Sequence, residues 1–130
     1  MLTIRTLREE EPMPQHLGTG FEGMPVMKSF CWVAEKDGRI VGMLMAAPCH
    51  GLLYIVRVRV EDGFPSAAAL LFRHCMRDAK EMGFLGYFSH VDPSRESEAA
   101  MIPICIRAGG TQVTMLMVPL VGSIGKAAEF

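Results

Sequence analysis

One junction constrains this chain more than any other feature. Residues 52–60 read Leu-Leu-Tyr-Ile-Val-Arg-Val-Arg-Val, a strand rich in β-branched side chains. A short turn holding Gly63 and Pro65 follows, and residues 66–82 then run from a serine and three alanines into a helical pattern. The first N–H groups of a helix have no partner inside it, and the positive end of the helix dipole lies beside them. A strand that feeds such a start is suited to hold an anion such as a phosphate. The helix must also carry the chain across the sheet, so the next strand, residues 85–91, is expected parallel and adjacent to the first.

Within the helix Ala68, Leu70, Leu71, Cys75, Ala79 and Met82 recur at spacings of three and four, with Arg73, Arg77, Asp78 and Lys80 elsewhere. Ser66 is placed to cap it and Gly83 to stop it. Upstream, residues 2–7 alternate apolar and polar, which reads as a half-buried strand. Residues 8–28 mix three consecutive glutamates with three prolines and three glycines, so they sustain no more than a short helical turn. Residues 30–35 and 39–46 are apolar runs joined by Lys36-Asp37-Gly38, and Asp-Gly at that point predicts a tight hairpin. Pro48, His50 and Gly51 are expected to break the chain before residue 52. A second helix over 96–108 should close at Gly109-Gly110, followed by a final β-rich run over 111–118. The order is β, irregular, β-hairpin, β, α, β, α, β. It predicts an α+β domain spanning 1–130, with a mixed, mostly antiparallel sheet, a parallel central pair and flanking helices.

Composition narrows the function classes. Thirteen Lys and Arg balance fourteen Asp and Glu for a net charge of −1, without a basic stripe, which argues against a nucleic-acid module. No apolar run reaches the ~18–20 residues of a membrane span, and no signal-peptide core is visible at the start, so a cytoplasmic location and no membrane partner are expected. The four cysteines, Cys31, Cys49, Cys75 and Cys105, lack metal-ligand spacing and read as small buried hydrophobes. No metal is expected.

The order of elements, together with four stretches of sequence, resembles the GCN5-related N-acetyltransferase (GNAT) superfamily over nearly the whole chain. Ile4-Arg5-Thr6-Leu7 resembles its opening strand. Trp32-Val33-Ala34-Glu35-Lys36-Asp37-Gly38-Arg39-Ile40-Val41-Gly42 resembles its second and third strands. Residues 52–82 take the place of its acetyl-CoA motif, and residues 92–110 resemble its last helix, which ends shortly before a glycine. The resemblance implies acetyl-CoA as co-substrate, lying along 52–60 with its pantetheine against Val58, Arg59 and Val60. Its pyrophosphate would rest on the family pattern Gln/Arg-x-x-Gly-x-Gly/Ala, which falls on Gly63, Phe64, Pro65, Ser66, Ala67 and Ala68. Ala68 alone matches cleanly: Gly63 stands where Gln or Arg is usual, Ser66 replaces a glycine, and Pro65 removes a donor.

Many members of that family carry a tyrosine four residues before the closing glycine to reprotonate the leaving thiolate; here that position is Cys105, whose thiol can also donate. A base is needed to take a proton from the attacking amine. Glu61 at the end of the 52–60 strand and His90 at the end of the next are the candidates, with Asp92 just beyond. The expected activity is acetyl transfer to a primary amine of a small molecule or peptide, by direct attack. A GNAT-fold binding or assembly module without chemistry is the alternative. The apolar run over 115–121 leads us to expect a homodimer.

Overall fold

The computed structural model describes residues 1–18, 27–91, 94, 96–112 and 122–129. Five strands form one sheet in the order β1-β2-β3-β4-β5: β1 Thr3–Thr6, β2 Cys31–Lys36, β3 Arg39–Cys49, β4 Leu52–Val60 and β5 Gly86–Ser89. The first three pairings are antiparallel, and β4–β5 is parallel. Helix α1 spans Ala67–Glu81 and makes the crossover; α2 Glu96–Ala99, α3 Met101–Arg107 and α4 Ile124–Ala128 follow. The expected α+β class and parallel pair are present. Among the described residues β5 is the outermost strand, and most of the expected run over 111–118 lies outside them. So does the apolar run over 115–121.

Two tight reversals build the meander. Asp37 and Gly38 both take positive φ (52° and 77°), the conformation a two-residue hairpin needs to match strand twist. His50 and Gly51 repeat it with φ of 49° and 81°. The second reversal corrects the expectation that Pro48 breaks the chain, because β3 runs through it to Cys49. Cys49 and Leu52 flank the turn as a hydrogen-bonded pair, so the backbone nitrogen of Pro48, opposite Leu53, points away from β4. On that side β2 pairs no further than Cys31 with Met45, so no sheet acceptor is denied a donor.

Helix α1 buries Ala67, Leu71, Phe72, Cys75 and Ala79 on one sheet face, against Trp32, Ala34, Leu44, Leu53, Ile55 and Val58. The buried stripe begins at Ala67 rather than Ala68, and Met82, expected inside, is half exposed. Gly42 permits the close approach, since a Cβ there would stand 3.3 Å from both Leu71 Cδ1 and Val60 Cγ2. Trp32 Nε1 donates to Asp78 Oδ2 at 2.7 Å, tying the buried indole to the helix. The opposite sheet face carries Leu7, Cys31, Val33, Met43 and Met45, covered in part by Met13 and Leu17. Residues 8–18 contain one short helical turn, Gln15–Leu17, as the composition requires. Arg5 pins that segment, donating to both oxygens of Glu11 at 2.6 and 3.0 Å and to Glu35 at 2.8 Å.

The helix expected over 96–108 is interrupted at Ala100. Pro103 is the cause: it has no N–H for the Ala99 carbonyl, and its ring would clash with that oxygen in a continuous helix. Ser66 stands at the N-terminus of α1, but its side chain makes no capping hydrogen bond there. Gly83 ends the helix as expected, with φ of 89°.

Two measurements check this account. Leu71→Ala should cost about 2–5 kcal/mol in chemical denaturation, and Leu85→Ala, at an exposed side chain, under about 0.5 kcal/mol. Arg5, donating to Glu11, holds that carboxyl down at about 2 from an ordinary 4.5. Because the folded value is the lower one, the stabilisation is whole above pH 4.5 and drains away as pH falls towards 2. Glu11→Gln should flatten that part of the stability-versus-pH curve.

Candidate active site

The site begins with a break in register. Met45 pairs with Arg57 and Ala46 with Ile55, so Val56 is an extra residue, a bulge in β4. The parallel pairing with β5 ends one residue earlier, at Ile55 with Ser89. Ser89 Oγ donates to the Ile55 carbonyl at 3.0 Å and closes the last rung. Beyond it the two strands part, and among the described residues no strand pairs with residues 56–60 of β4 on that side.

Alternation along β4 decides which backbone groups face the gap. The Glu61 amide donates to Val41 O on the β3 side at 2.9 Å. Arg59 and Arg57 therefore turn their backbone groups towards β3, and Val58 and Val60 turn theirs into the gap. One of these acceptors, the Val58 carbonyl, also receives Arg59 Nη1 at 3.0 Å.

Two hollows that share Val58 as a wall occupy the gap. The narrow one, ≈ 10 Å³, is lined by residues 55–58 of β4, by Ser89, His90 and Val91, and by Glu98 and Met101. That is room for about one water. The wide one, ≈ 580 Å³, runs from Val58 and Val60 past residues 61–65 to Ala68 at the start of α1, with Glu96 and Ala100 opposite. Together they form one groove along the free edge of β4. Its far wall is the short α2 and the break at Ala100.

The groove gathers some of the expected residues and not others. Val58, Val60, Gly63, Phe64 and Ala68 line its wide part. Arg59 does not line it. Ala67 is fully buried and its amide is taken by the Phe64 carbonyl at 3.1 Å, so the Ala67 donor expected for an anion is already used. Ser66 is absent from the wall as well. The Ala68 amide belongs to the first turn of α1 and sits at the groove, whereas Pro65 contributes no donor.

Glu61 is clamped. Arg39 Nη2 lies 2.6 Å from both carboxylate oxygens, and His16 Nε2 is 3.5 Å from Oε1 while donating to the Ile40 carbonyl at 2.8 Å. It stands at the wide end, six residues beyond Ile55, or about 20 Å along the strand from the last rung. Glu61 and His90 therefore stand at opposite ends of the groove. His90 lines the narrow hollow, with Nδ1 3.2 Å from the Tyr54 hydroxyl. Asp92 lies outside the described residues.

Cys105 lines neither hollow. It packs on the α1 side of the sheet beside Tyr87, whose ring meets Phe72 edge-on with centroids 5.3 Å apart. The Tyr87 hydroxyl is buried without a well-formed hydrogen bond, beside the Cys105 thiol. Burial pushes the Tyr87 hydroxyl up, and the thiol adds to the shift. Burial also raises Cys105, against a downward pull from Tyr87. Gly110 seals this corner, since a Cβ there would meet the Tyr87 oxygen at 2.7 Å.

The sequence matches the model of the acetyltransferase (GNAT) family over residues 5–102. This chain belongs to that family. Its members use acetyl-CoA. No curated protein sequence matches significantly. Among solved structures, the fold is similar to an aminoglycoside N-acetyltransferase, AAC(6')-Iy, in complex with CoA, at 13% identity and a TM-score of 0.68 over 93% of this chain and 95% of that one. It is also similar to an aminoglycoside acetyltransferase from an uncultured soil metagenomic sample in complex with sisomicin, at 17% identity and a TM-score of 0.64 over 92% and 97% of the two chains. A third, the ribosomal-protein-S18-alanine N-acetyltransferase from Escherichia coli, is 14% identical with a TM-score of 0.63, over 88% and 80%. At these identities the likeness establishes the fold alone. Among the described residues no helix is long and apolar enough to cross a membrane.

Three features of the site have no signature in the sequence. The bulge falls on Val56, an ordinary strand residue between Ile55 and Arg57. The Arg39 clamp on Glu61 joins residues 22 apart, and the Tyr54–His90 contact joins residues 36 apart. Only the parallel register, once known, puts Tyr54 beside Phe88 and so brings His90 within reach.

The thiols provide a check on burial. Cys31 is pushed up to about 11 and Cys75 to about 12, both by burial. At pH 7.5 iodoacetamide should label Cys49 well before Cys31 and Cys75 in the folded protein. Unfolding in denaturant should make all four react alike, as read by mass spectrometry.

Proposed function

We propose that this chain transfers an acetyl group from acetyl-CoA to a primary amine by direct attack. The observation that carries the reading is the divergence of β4 from β5 at the Val56 bulge. It leaves a strand edge that no other strand pairs among the described residues, running from a titratable side chain, His90, to a helix start at Ala68. Family membership supports it, as does likeness to a fold crystallised with CoA.

In this reading the groups of Val58 and Val60 hold an extended amide-bearing arm as an added strand would. The Ala68 end of α1 receives the phosphates, and the bulged backbone near Val56 faces the thioester carbonyl. His90, at the narrow end, takes the proton from the amine. Nothing in the geometry gives Glu61 that task, since it is held by Arg39 at the phosphate end. Cys105, off the groove, has no access to a leaving thiolate there. Positioning then supplies most of the acceleration. The fold neighbours' names point to aminoglycoside and protein-alanine acceptors, both amines, and the acceptor here is read as a small-molecule or peptide amine.

One observation favours the second reading, a GNAT-fold binding module without turnover. The wall of the wide hollow carries Glu61, Asp62 and Glu96, and Pro65 contributes no donor. Carboxylates beside a diphosphate weaken its binding, and here Arg39 offsets only that of Glu61. Calorimetry separates the two. The protein should bind acetyl-CoA, Ala68→Glu should abolish binding, and Asp62→Asn should tighten it severalfold. Absence of binding to the wild-type chain, or unchanged binding in Ala68→Glu, would select the module.

A further inference from the structure

The Tyr54 hydroxyl has no part in the groove's backbone chemistry, yet it meets His90, the base of the proposed reaction. Tyr54 pairs with Phe88 across the parallel strands, and their rings stack with centroids 4.8 Å apart. His90 stands edge-on to both, at 5.6 Å from the Tyr54 centroid and 6.1 Å from that of Phe88. Its Nδ1 lies 3.2 Å from the Tyr54 oxygen. The imidazole is thus gripped on its sides by two aromatic rings and at one nitrogen by a hydroxyl.

We propose that Tyr54 is a positioning residue that fixes the tautomer of His90: Nδ1–H donates to the phenolic oxygen, and Nε2 is left bare as the base at the narrow hollow. This deepens the acetyltransferase reading and rests on it. The protonated form of the ring has a hydrogen on both nitrogens, so the same Nδ1–H···O contact persists after Nε2 has accepted a proton. A partner that serves both states costs no reorganisation during the step. The converse arrangement, with the tyrosine donating to Nδ1, puts the ring's hydrogen on Nε2 and leaves no base at the groove.

The step balances as follows. An incoming R–NH3⁺ gives one proton to Nε2, and the free amine forms a C–N bond with the thioester carbon. The C–S bond then breaks, the electron pair leaves on sulfur, and the second nitrogen proton ends on that sulfur as CoA thiol. His90 returns its proton to water. Two other charged groups face the same hollow, Arg57 on β4 and Glu98 on α2.

Ring NMR on the wild-type chain reads the tautomer without any need for turnover. The expected result is a neutral His90 carrying hydrogen on Nδ1; a neutral ring with hydrogen on Nε2 overturns the proposal. Tyr54→Phe removes the hydroxyl and keeps the stacked ring. It should move His90 towards the Nε2–H form, lower kcat by about tenfold and shift the acid limb of the pH–rate profile to lower pH, while the acetyl-CoA Kd stays unchanged. An equal loss at every pH with an unaltered ring spectrum would mean that the hydroxyl only supports packing, and would refute the assignment. If no amine yields CoA thiol from the wild-type chain, the transferase reading fails by itself, and the ring spectrum still decides the Tyr54–His90 pairing.

Discussion

The molecule depends on one extra residue in one strand. A bulge re-aims the chain that carries it, and at Val56 it does so immediately after the last rung shared with β5. Without it, β4 would continue alongside its neighbour and the backbone of Val58 and Val60 would be spent inside the sheet. The groove is therefore an unfinished pairing, open along the backbone of Val58 and Val60. The buried packing of α1 against Leu53, Ile55 and Val58 keeps that edge from collapsing, because the helix holds β4 from its other face.

Charge is distributed along the groove in a way the fold alone does not dictate. At the wide end the wall is acidic, and Arg39 is spent on Glu61 rather than turned towards a ligand. At the narrow end the polar groups converge: a serine hydroxyl closing the rung, an imidazole, a guanidinium and a carboxylate. Polar side chains are concentrated where the space is least, ≈ 10 Å³, and the residues described around the large volume bring no side-chain donor, only backbone ones. A bound ligand would thus gain its grip from β4 more than from the turn.

How much of this was legible in the sequence follows from the range of the forces involved. Asp37-Gly38, the strand over 52–60 and the α1 stripe of Leu71, Cys75 and Ala79 are set by neighbours within a few residues, and they are where the sequence placed them. The tolerance of Pro48 depends on where β2 stops pairing, which local sequence does not encode. Pro103, by contrast, is a local signal against a single helix over 96–108. The site was harder. Val56 carries no residue signature for a bulge, and the Arg39 contact on Glu61 joins residues too far apart in sequence to be foreseen. The pairing of Tyr54 with His90 arises only once two parallel strands are in register.

The passage of β3 through Pro48 has a consequence for how these molecules meet one another. Beyond Met45, β3 and β4 continue as a hairpin, residues 46–55, with no strand paired on the β3 side among the described residues. A bare ribbon edge invites a second chain to add itself by backbone pairing. Pro48 withholds a donor in the middle of that edge, so an incoming strand meets a gap in the hydrogen-bond row. The same residue that interrupts nothing inside the fold thereby guards its flank against aggregation.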